Sequence, residues 1–135
     1  HVVTSDIFIG VAAVADYSPI NSELKKIKKN IDNSSLVLKM KETKDILLEV
    51  GSLKDKPYLV GFAAETENLI QNAKKKLNMK NLDLIIANDV SSQDIGFDSD
   101  FNEVFLITED EEILIEKTSK RNLSRKIIEF ISAKI

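Results

Sequence analysis

Apolar residues concentrate in short runs that alternate with amphipathic segments. The main runs cover residues 6–15, 58–64 and 82–87, and a shorter one covers residues 35–40. A parallel strand that helices cover on both faces is apolar at nearly every position. We therefore predict strands at all four places, with the strand over residues 6–15 in the centre of the sheet.

Three segments place apolar residues three or four positions apart, which is the spacing of a helix that packs one face on a sheet. The apolar faces are Ile46, Leu47, Val50 and Leu53; Leu69, Ala73 and Leu77; and Leu123, Ile127, Phe130 and Ile131. The first helix is predicted over residues 44–53. Hydroxyl residues that can accept hydrogen bonds from a first helical turn precede each segment, and the predicted N-caps are Thr43, Thr66, and Ser119 or Thr118.

Residues 102–108 and 112–116 alternate around an acidic turn and predict a β-hairpin, whereas residues 17–29 and 90–100 are predicted to be loops. Alternation of strands and helices along most of the chain predicts an α/β fold. We expect a Rossmann-like three-layer α/β/α arrangement, with a mainly parallel sheet and an antiparallel hairpin at its edge. The 135 residues are predicted to form a single domain over residues 1–135.

Composition argues against several classes of site and partner. Cysteine is absent and the single histidine is His1, which argues against disulfides, zinc–thiolate sites and a Ser-His-Asp triad. A net charge of −3 gives no overall attraction to nucleic acid or to an anionic membrane. Without an apolar run of membrane-spanning length or a signal peptide, a cytoplasmic location is predicted. Because the chain starts at His1 and enters a strand at once, we predict that it is N-terminally incomplete.

The end of the first predicted strand combines small residues, an acid and a lysine cluster. The small residues Ala12 and Ala15 precede Asp16, and four lysines follow between residues 25 and 29. Ligands of open α/β sheets bind beyond the carboxyl ends of the strands, where lysines neutralise phosphate oxygens. We interpret this stretch as a site for a phosphorylated ligand. The alternatives are a turn that Asp16 stabilises and a solvated face of charged residues.

The second long strand ends in a group that also suits a nucleotide. Phe62 lies beside small residues, where an aromatic ring can pack against a nucleotide base. The alternative is that Phe62 is an ordinary residue of the hydrophobic core. Lys76 and Lys80 share one face of the following helix, although cations near a helix C-terminus are favoured without any ligand. A glycine-rich phosphate loop of the form G-x-G-x-x-G or G-x-x-x-x-G-K-S/T is absent from the sequence.

Short matches to one family run in order along nearly the whole chain. They are residues 7–17 (IFIGVAAVADY), 26–29 (KIKK), 45–46 (DI), 60–66 (VGFAAET), 80–83 (KNLD), 87–90 (ANDV), 96–100 (GFDSD) with Asn102, and 119–120 (SK). Each match alone is weak, whereas the ordered set is specific. By this set the chain resembles the phosphopantothenate–cysteine ligase family, the C-terminal activity of a bifunctional coenzyme A biosynthesis flavoprotein.

The resemblance implies a ligase that joins L-cysteine to 4′-phosphopantothenate through an acyl-cytidylate formed from CTP. It also implies Mg²⁺ or Mn²⁺ with the nucleotide, a homodimer, and a flavin-dependent decarboxylase domain fused upstream. Nucleic acid and membrane are not expected partners. CTP is the nucleotide of the bacterial enzymes, and their eukaryotic relatives use ATP.

By position, the resemblance assigns one catalytic residue and a set of nucleotide-binding residues. Lys26 corresponds to the catalytic lysine, in a loop over the active site. The nucleotide-binding positions are Gly10, Val11, Ala12, Asp16, Lys26, Lys44, Asp45, Ile46, Phe62, Lys76 and Lys80. No residue is assigned to a metal ion.

Two departures from the family pattern keep other functions open. Residues 43–46 read Thr-Lys-Asp-Ile, where many members have a proline before the aspartate, and the family's N-terminal glycine-rich segment is absent. One alternative is therefore a nucleotide-binding and dimerisation fragment of the same domain without full activity. Another is an unrelated α/β domain for a different nucleotide such as a nicotinamide cofactor, which the absence of the glycine motif disfavours.

Overall fold

The computed structural model describes residues 2–22, 25–27, 36–90 and 99–135. The chain divides into two compact units. Unit 1 consists of His1–Val11 and Ile46–Ile135, and unit 2 consists of Ala12–Asp45. A single domain over residues 1–135 stays a prediction.

Seven strands and three α-helices are present in the described residues. In chain order they are β1 (Ile7–Gly10), β2 (Tyr17–Pro19), β3 (Met40–Glu42), α1 (Ile46–Gly51), β4 (Tyr58–Glu65), α2 (Leu69–Met79), β5 (Leu84–Asp89), β6 (Phe101–Ile107), β7 (Glu112–Ser119) and α3 (Lys120–Ser132), after a short 3-10 helix over Val2–Thr4. Unit 1 holds a five-stranded sheet in the order β1-β4-β5-β6-β7. β1, β4 and β5 are parallel, and β6 and β7 form the predicted antiparallel hairpin at the edge.

Helices cover both faces of this sheet, which confirms the predicted three layers. Side chains alternate between the faces of a strand, so neighbouring residues of β4 enter different cores. Leu59 packs with Val50 of α1 and Leu77 of α2. The next residue, Val60, packs on the opposite face with the apolar stripe of α3, which is formed by Leu123, Ile127 and Ile131. The apolar faces predicted for α2 and α3 are therefore confirmed. The face predicted for α1 is right at Leu47 and Val50 and wrong at Ile46 and Leu53, which are 45% and 39% exposed, and Leu53 lies beyond the end of the helix.

The first predicted strand is shorter than expected and does not lie in the centre. β1 ends at Gly10, and the chain then turns, with the Val14 amide donating to the Ala12 carbonyl at 2.9 Å. Within the described part of the chain β1 is an edge strand, which leaves Ile9 37% exposed. The predicted strand ran past Gly10 because the residues that follow are small and apolar. Alanine occurs in exposed turns as well as in buried strands, so its presence did not mark the end of the strand.

Two of the three predicted helix caps are wrong. α2 begins after Asn68, which has a left-handed conformation and makes no side-chain capping bond, so Thr66 lies outside the helix. α1 begins only at Ile46, because the Thr43 amide and hydroxyl bind carbonyls of residues 15 and 16 instead of the helix. Ser119 is the confirmed cap, since its hydroxyl accepts from the Asn122 amide at 3.3 Å.

Unit 2 contains a small antiparallel ribbon where a loop was predicted. β2 pairs with β3 from Tyr17↔Glu42 to Pro19↔Met40, and the Ile20 amide extends the ladder by donating to Lys39 at 3.0 Å. The loop predicted over residues 17–29 is therefore wrong at its start. The strand predicted over residues 35–40 is wrong at 36–39, where three consecutive apolar side chains are exposed, and residue 35 lies outside the described residues.

An ion pair and a hydrogen bond meet on Asp83 at the amino edge of the unit 1 sheet. The Asp83 carboxylate accepts from the Lys56 ammonium and, at 2.7 Å, from the Leu59 amide. Burial raises the pKa of the Tyr58 phenol at the start of β4, and the Asp83 charge adds to this effect.

In the described ranges, no helix has the length and apolar character that crossing a membrane requires.

Candidate functional site

The carboxyl edge of the unit 1 sheet gathers polar and small residues from three parallel strands. Gly10 ends β1 opposite Gly61 of β4, and Glu65 ends β4 opposite Asp89 of β5. The Val90 amide donates to the Glu65 carbonyl at 3.0 Å, which holds the ends of β4 and β5 together. This edge is the position at which open α/β sheets bind ligands.

Glu65 anchors a lysine of α2 at this edge. The Lys76 ammonium lies 2.6 Å from Glu65 Oε1, and the Asn72 side-chain amide donates to Glu65 Oε2 at 3.2 Å. The Glu65 side chain is 13% exposed, whereas the Lys76 side chain is 45% exposed. The pair therefore places a positive charge at the carboxyl edge with part of its surface open to an anion. Sequence reasoning missed this pairing, although Asn72 and Lys76 are four residues apart on one helix face.

Phe62 presents an aromatic ring on the face of the sheet that carries α3. Its strand neighbour Val60 packs in the α3 core, and Phe62, two residues later, points to the same side. Phe62 is 36% exposed, and Ala64, two residues further along β4, is exposed as well. Phe62 is therefore not an enclosed core residue, and the predicted stacking role stays open to it.

Gly10 and Gly61 allow a helix residue to approach the sheet closely. A Cβ atom on Gly10 would lie 2.8 Å from Leu47 Cδ2, and one on Gly61 would lie 3.3 Å from Leu47 Cδ1. Packing alone therefore gives a reason for glycine at position 10, and its nucleotide role stays a prediction.

Lys80 lies at the C-cap of α2, with its amide donating to the Lys76 carbonyl at 3.0 Å.

The remaining predicted residues divide between the units and are all exposed. Val11 and Ile46 belong to unit 1, and Ala12, Asp16, Lys26, Lys44 and Asp45 belong to unit 2. Lys26 lies in the short described stretch 25–27, outside any helix or strand. Lys28 and Lys29, and the 91–98 part of the predicted loop, lie outside the described residues.

In unit 2, one residue joins two of the predicted segments. Thr43 donates its amide to the Asp16 carbonyl at 2.9 Å and its hydroxyl to the Ala15 carbonyl at 2.5 Å. The turn that holds Ala12 and Asp16 is thereby bonded to the residue directly before Lys44. Among the residues that the structure describes, no group of three or more histidine or carboxylate side chains could hold a metal ion.

A family model for the C-terminal domain of DNA/pantothenate metabolism flavoproteins matches this chain over residues 1–135. The chain belongs to this family. The family predicted from the ordered sequence matches is thereby confirmed.

Relatives of this flavoprotein C-terminal domain are much longer than the chain. The coenzyme A biosynthesis bifunctional protein CoaBC of Vibrio parahaemolyticus is 44% identical over 128 residues, which are 94% of this chain and 32% of that protein. The CoaBC protein of Bacillus subtilis is 44% identical over 132 residues, which are 96% of this chain and 32% of that protein. The chain thus spans 32% of the length of these curated relatives.

Solved structures share the fold of this chain. The C-terminal domain of a coenzyme A biosynthesis bifunctional protein CoaBC is 33% identical, with a TM-score of 0.74 over 97% of this chain and 55% of that chain. A Cab2 variant in complex with phosphopantothenate-cysteine is 18% identical, with a TM-score of 0.60 over 82% of this chain and 38% of that chain. The first likeness confirms the predicted Rossmann-like α/β fold, and the second supports the fold alone.

Proposed function

We propose that the chain is the nucleotide-binding portion of a CTP-dependent phosphopantothenate–cysteine ligase. The observation that carries the proposal is the carboxyl edge of the sheet, where Glu65 pairs with Lys76 on the face that carries α2 and Phe62 is exposed on the face that carries α3. A ring for a base and a fixed ammonium for phosphate are the groups that a nucleotide requires. The proposal is supported by the names of the relatives, which place them in coenzyme A biosynthesis.

In the proposed reaction, the carboxylate of 4′-phosphopantothenate attacks the α-phosphate of CTP. Pyrophosphate leaves with the electrons of the broken phosphoanhydride bond, and an acyl-cytidylate forms. The amine of L-cysteine then attacks the acyl carbon, CMP leaves, and the amine proton is released as the amide forms. Lys26 is proposed to stabilise the negative charge that grows on the phosphate in these steps.

Mg²⁺ or Mn²⁺ is proposed to enter with the nucleotide and to reduce the charge of its triphosphate. Mg²⁺ is commonly held by substrate phosphates, water and only one or two carboxylates. Lys76 and Lys80 would supply the remaining positive charge from α2.

A second candidate function is a nucleotide-binding and dimerisation fragment of the same domain without turnover. It is favoured by the length of the relatives, of which the chain spans 32%.

We propose that a flavin-dependent decarboxylase domain lies upstream in the whole protein, in keeping with the bifunctional name of the relatives and the C-terminal position of the matched domain. A cytoplasmic location stays a prediction from the sequence.

Unit 2 is proposed to form a homodimer interface. No described residue of this unit is buried, and its large apolar side chains are exposed at Val14, Tyr17, Ile20, Ile27, Leu36, Val37, Leu38 and Met40. Val37 reaches 84% exposure. A contiguous chain segment with so much exposed apolar surface is typical of a protein–protein contact, and a second copy is the partner that the family resemblance implies.

Replacing Val37 by glutamate is expected to raise the dimer dissociation constant at least about tenfold, because a charge would be buried in the contact. Sedimentation velocity over a range of concentrations measures the shift. Ile128→Glu, on the exposed face of α3 in unit 1, is the matched control and should leave the dimer intact. A monomeric unchanged chain, or equal dissociation of both variants, would contradict this interface.

Calorimetric titration with CTP and with ATP, each with Mg²⁺, tests the nucleotide site. CTP is expected to bind at least about tenfold more tightly than ATP, and Lys76→Gln to weaken CTP binding by about tenfold because one phosphate contact is lost. Lys75→Gln removes an exposed charge one residue away and should change the affinity little. Equal affinities for CTP and ATP, or equal effects of the two lysine variants, would count against the proposal.

A further inference from the structure

Thr43 makes two hydrogen bonds to consecutive carbonyls of a distant segment. Its amide donates to the Asp16 backbone carbonyl, which continues the β2–β3 ladder one step beyond Tyr17↔Glu42. Its hydroxyl then reaches one residue further, to the Ala15 carbonyl, across 28 positions of the sequence. The side chain and the backbone amide of Thr43 thus bind the carbonyl groups of two consecutive residues.

These two bonds determine the direction of the peptide groups around Asp16. A trans peptide is planar, and its carbonyl and amide point in opposite directions. Since the Ala15 carbonyl points to the Thr43 hydroxyl, the Asp16 amide in the same plane points away from Thr43. The Tyr17 amide is oriented in the same way by the bond from the Thr43 amide to the Asp16 carbonyl.

Other forces that would hold this turn are weak. The described residues of unit 2 provide no buried side chain, and residues 12–16 are exposed throughout. Thr43 itself is partly buried, unlike its exposed neighbours Glu42 and Lys44. Where packing does not hold a backbone segment, its hydrogen bonds decide which conformation is populated.

We infer that Thr43 is a positioning residue of the nucleotide site, which aligns the Asp16 turn with the segment that begins at Lys44. The inference rests on the proposed function, because both segments are assigned to the nucleotide there. Thr43 itself needs no contact with the ligand. Its hydroxyl keeps the two segments in the arrangement that binding requires, so the ligand does not have to order them.

Two substitutions separate the hydroxyl from the shape of the side chain. Thr43→Val keeps the branched shape and removes the hydroxyl, whereas Thr43→Ser keeps the hydroxyl. Thr43→Val is expected to weaken CTP binding by about three- to tenfold, the fold-change of one lost hydrogen bond, and Thr43→Ser to bind within about twofold of the unchanged chain. The same calorimetric titration measures both.

Amide hydrogen exchange gives a readout that does not depend on the ligand. The Val14 amide, bonded to Ala12 within the turn, is expected to exchange at least about threefold faster in Thr43→Val and at an unchanged rate in Thr43→Ser. The amides of Val60 and Ile85, buried in unit 1, should keep their exchange rates in both variants. Faster exchange throughout unit 1 would mean general destabilisation and would overturn the assignment.

The outcomes separate this inference from the proposed function. If the unchanged chain binds CTP and Thr43→Val binds it equally well, Thr43 is not a positioning residue, while the nucleotide site stands. If Thr43→Ser loses as much affinity as Thr43→Val, the hydroxyl is not the group responsible, and the inference is overturned. If the unchanged chain binds no nucleotide, the proposed function fails, and the positioning role fails with it even where the Val14 amide responds.

Discussion

Replacing Gly51 by alanine is expected to lower the free energy of unfolding by about 2–4 kcal/mol. Gly51 ends α1 against the C-terminal end of α2, and a Cβ atom there would lie 2.0 Å from the Lys80 carbonyl oxygen and 3.0 Å from its carbon. Both are backbone atoms, so the helix ends must separate. Alanine gains about 1 kcal/mol over glycine within a helix, which is less than this cost. Urea unfolding measures the difference.

The same separation should disturb the proposed nucleotide site. The Asn81 side-chain amide donates to the Gly51 carbonyl at 2.8 Å, and Asn81 adopts a left-handed conformation with φ of 51° directly after Lys80. Moving the end of α1 would break this bond and shift the backbone of Lys80. We therefore expect Gly51→Ala to weaken CTP binding as well as to reduce stability.

Gly10→Ala is the matched control for the stability effect. Its new Cβ atom would meet Leu47 Cδ2 at 2.8 Å, which is the end of a side chain that can rotate. The expected cost is about 1 kcal/mol, below that of Gly51→Ala. A larger loss in Gly10→Ala than in Gly51→Ala would contradict the close approach of α1 to Lys80.

The strands and helices of unit 1 were predictable because burial determines their sequence. β4 and β5 are covered on both faces, and the near-continuous apolar runs of residues 58–64 and 82–87 follow from that. The α3 stripe was predictable for the same reason. Where burial is weak the prediction was wrong: β1 stops at Gly10 although the apolar run continues, and β2 and β3 consist of mostly exposed residues that carry no periodic signal.

The candidate site was predictable only as far as strand ends can be located. The apolar run of residues 58–64 placed Phe62 near the end of β4, and the register confirms this position. The run of residues 6–15 placed Gly10 inside a strand, and only the family resemblance assigned it to a strand end, where the structure has it. The pairing of Lys76 with Glu65 and the bonds of Thr43 to residues 15 and 16 depend on side-chain directions and on contacts across 11 and 28 positions. A short-range pattern in one sequence does not show which residues meet when they lie so far apart along the chain.

Replacing Lys26 by glutamine is expected to lower the rate of product formation about 10²–10³-fold, the usual effect of losing a donor that stabilises transition-state charge. The residue is exposed and lies outside the helices and strands, so the fold should remain intact. CTP affinity should fall less than the rate, because a phosphate contact that strengthens in the transition state contributes more to the rate than to ground-state binding. The assay is pyrophosphate release and product formation in the longest form of the protein that catalyses the reaction.

Lys25→Gln is the control that separates position from charge. Lys25 is the adjacent, exposed lysine, and its loss changes the net charge by the same amount. A specific catalytic role predicts that Lys25→Gln keeps its rate within about threefold, since an exposed charge beside the site contributes little through solvent. Equal losses in the two variants would mean that the cluster acts only through its summed charge, and normal turnover in Lys26→Gln would remove Lys26 from the mechanism.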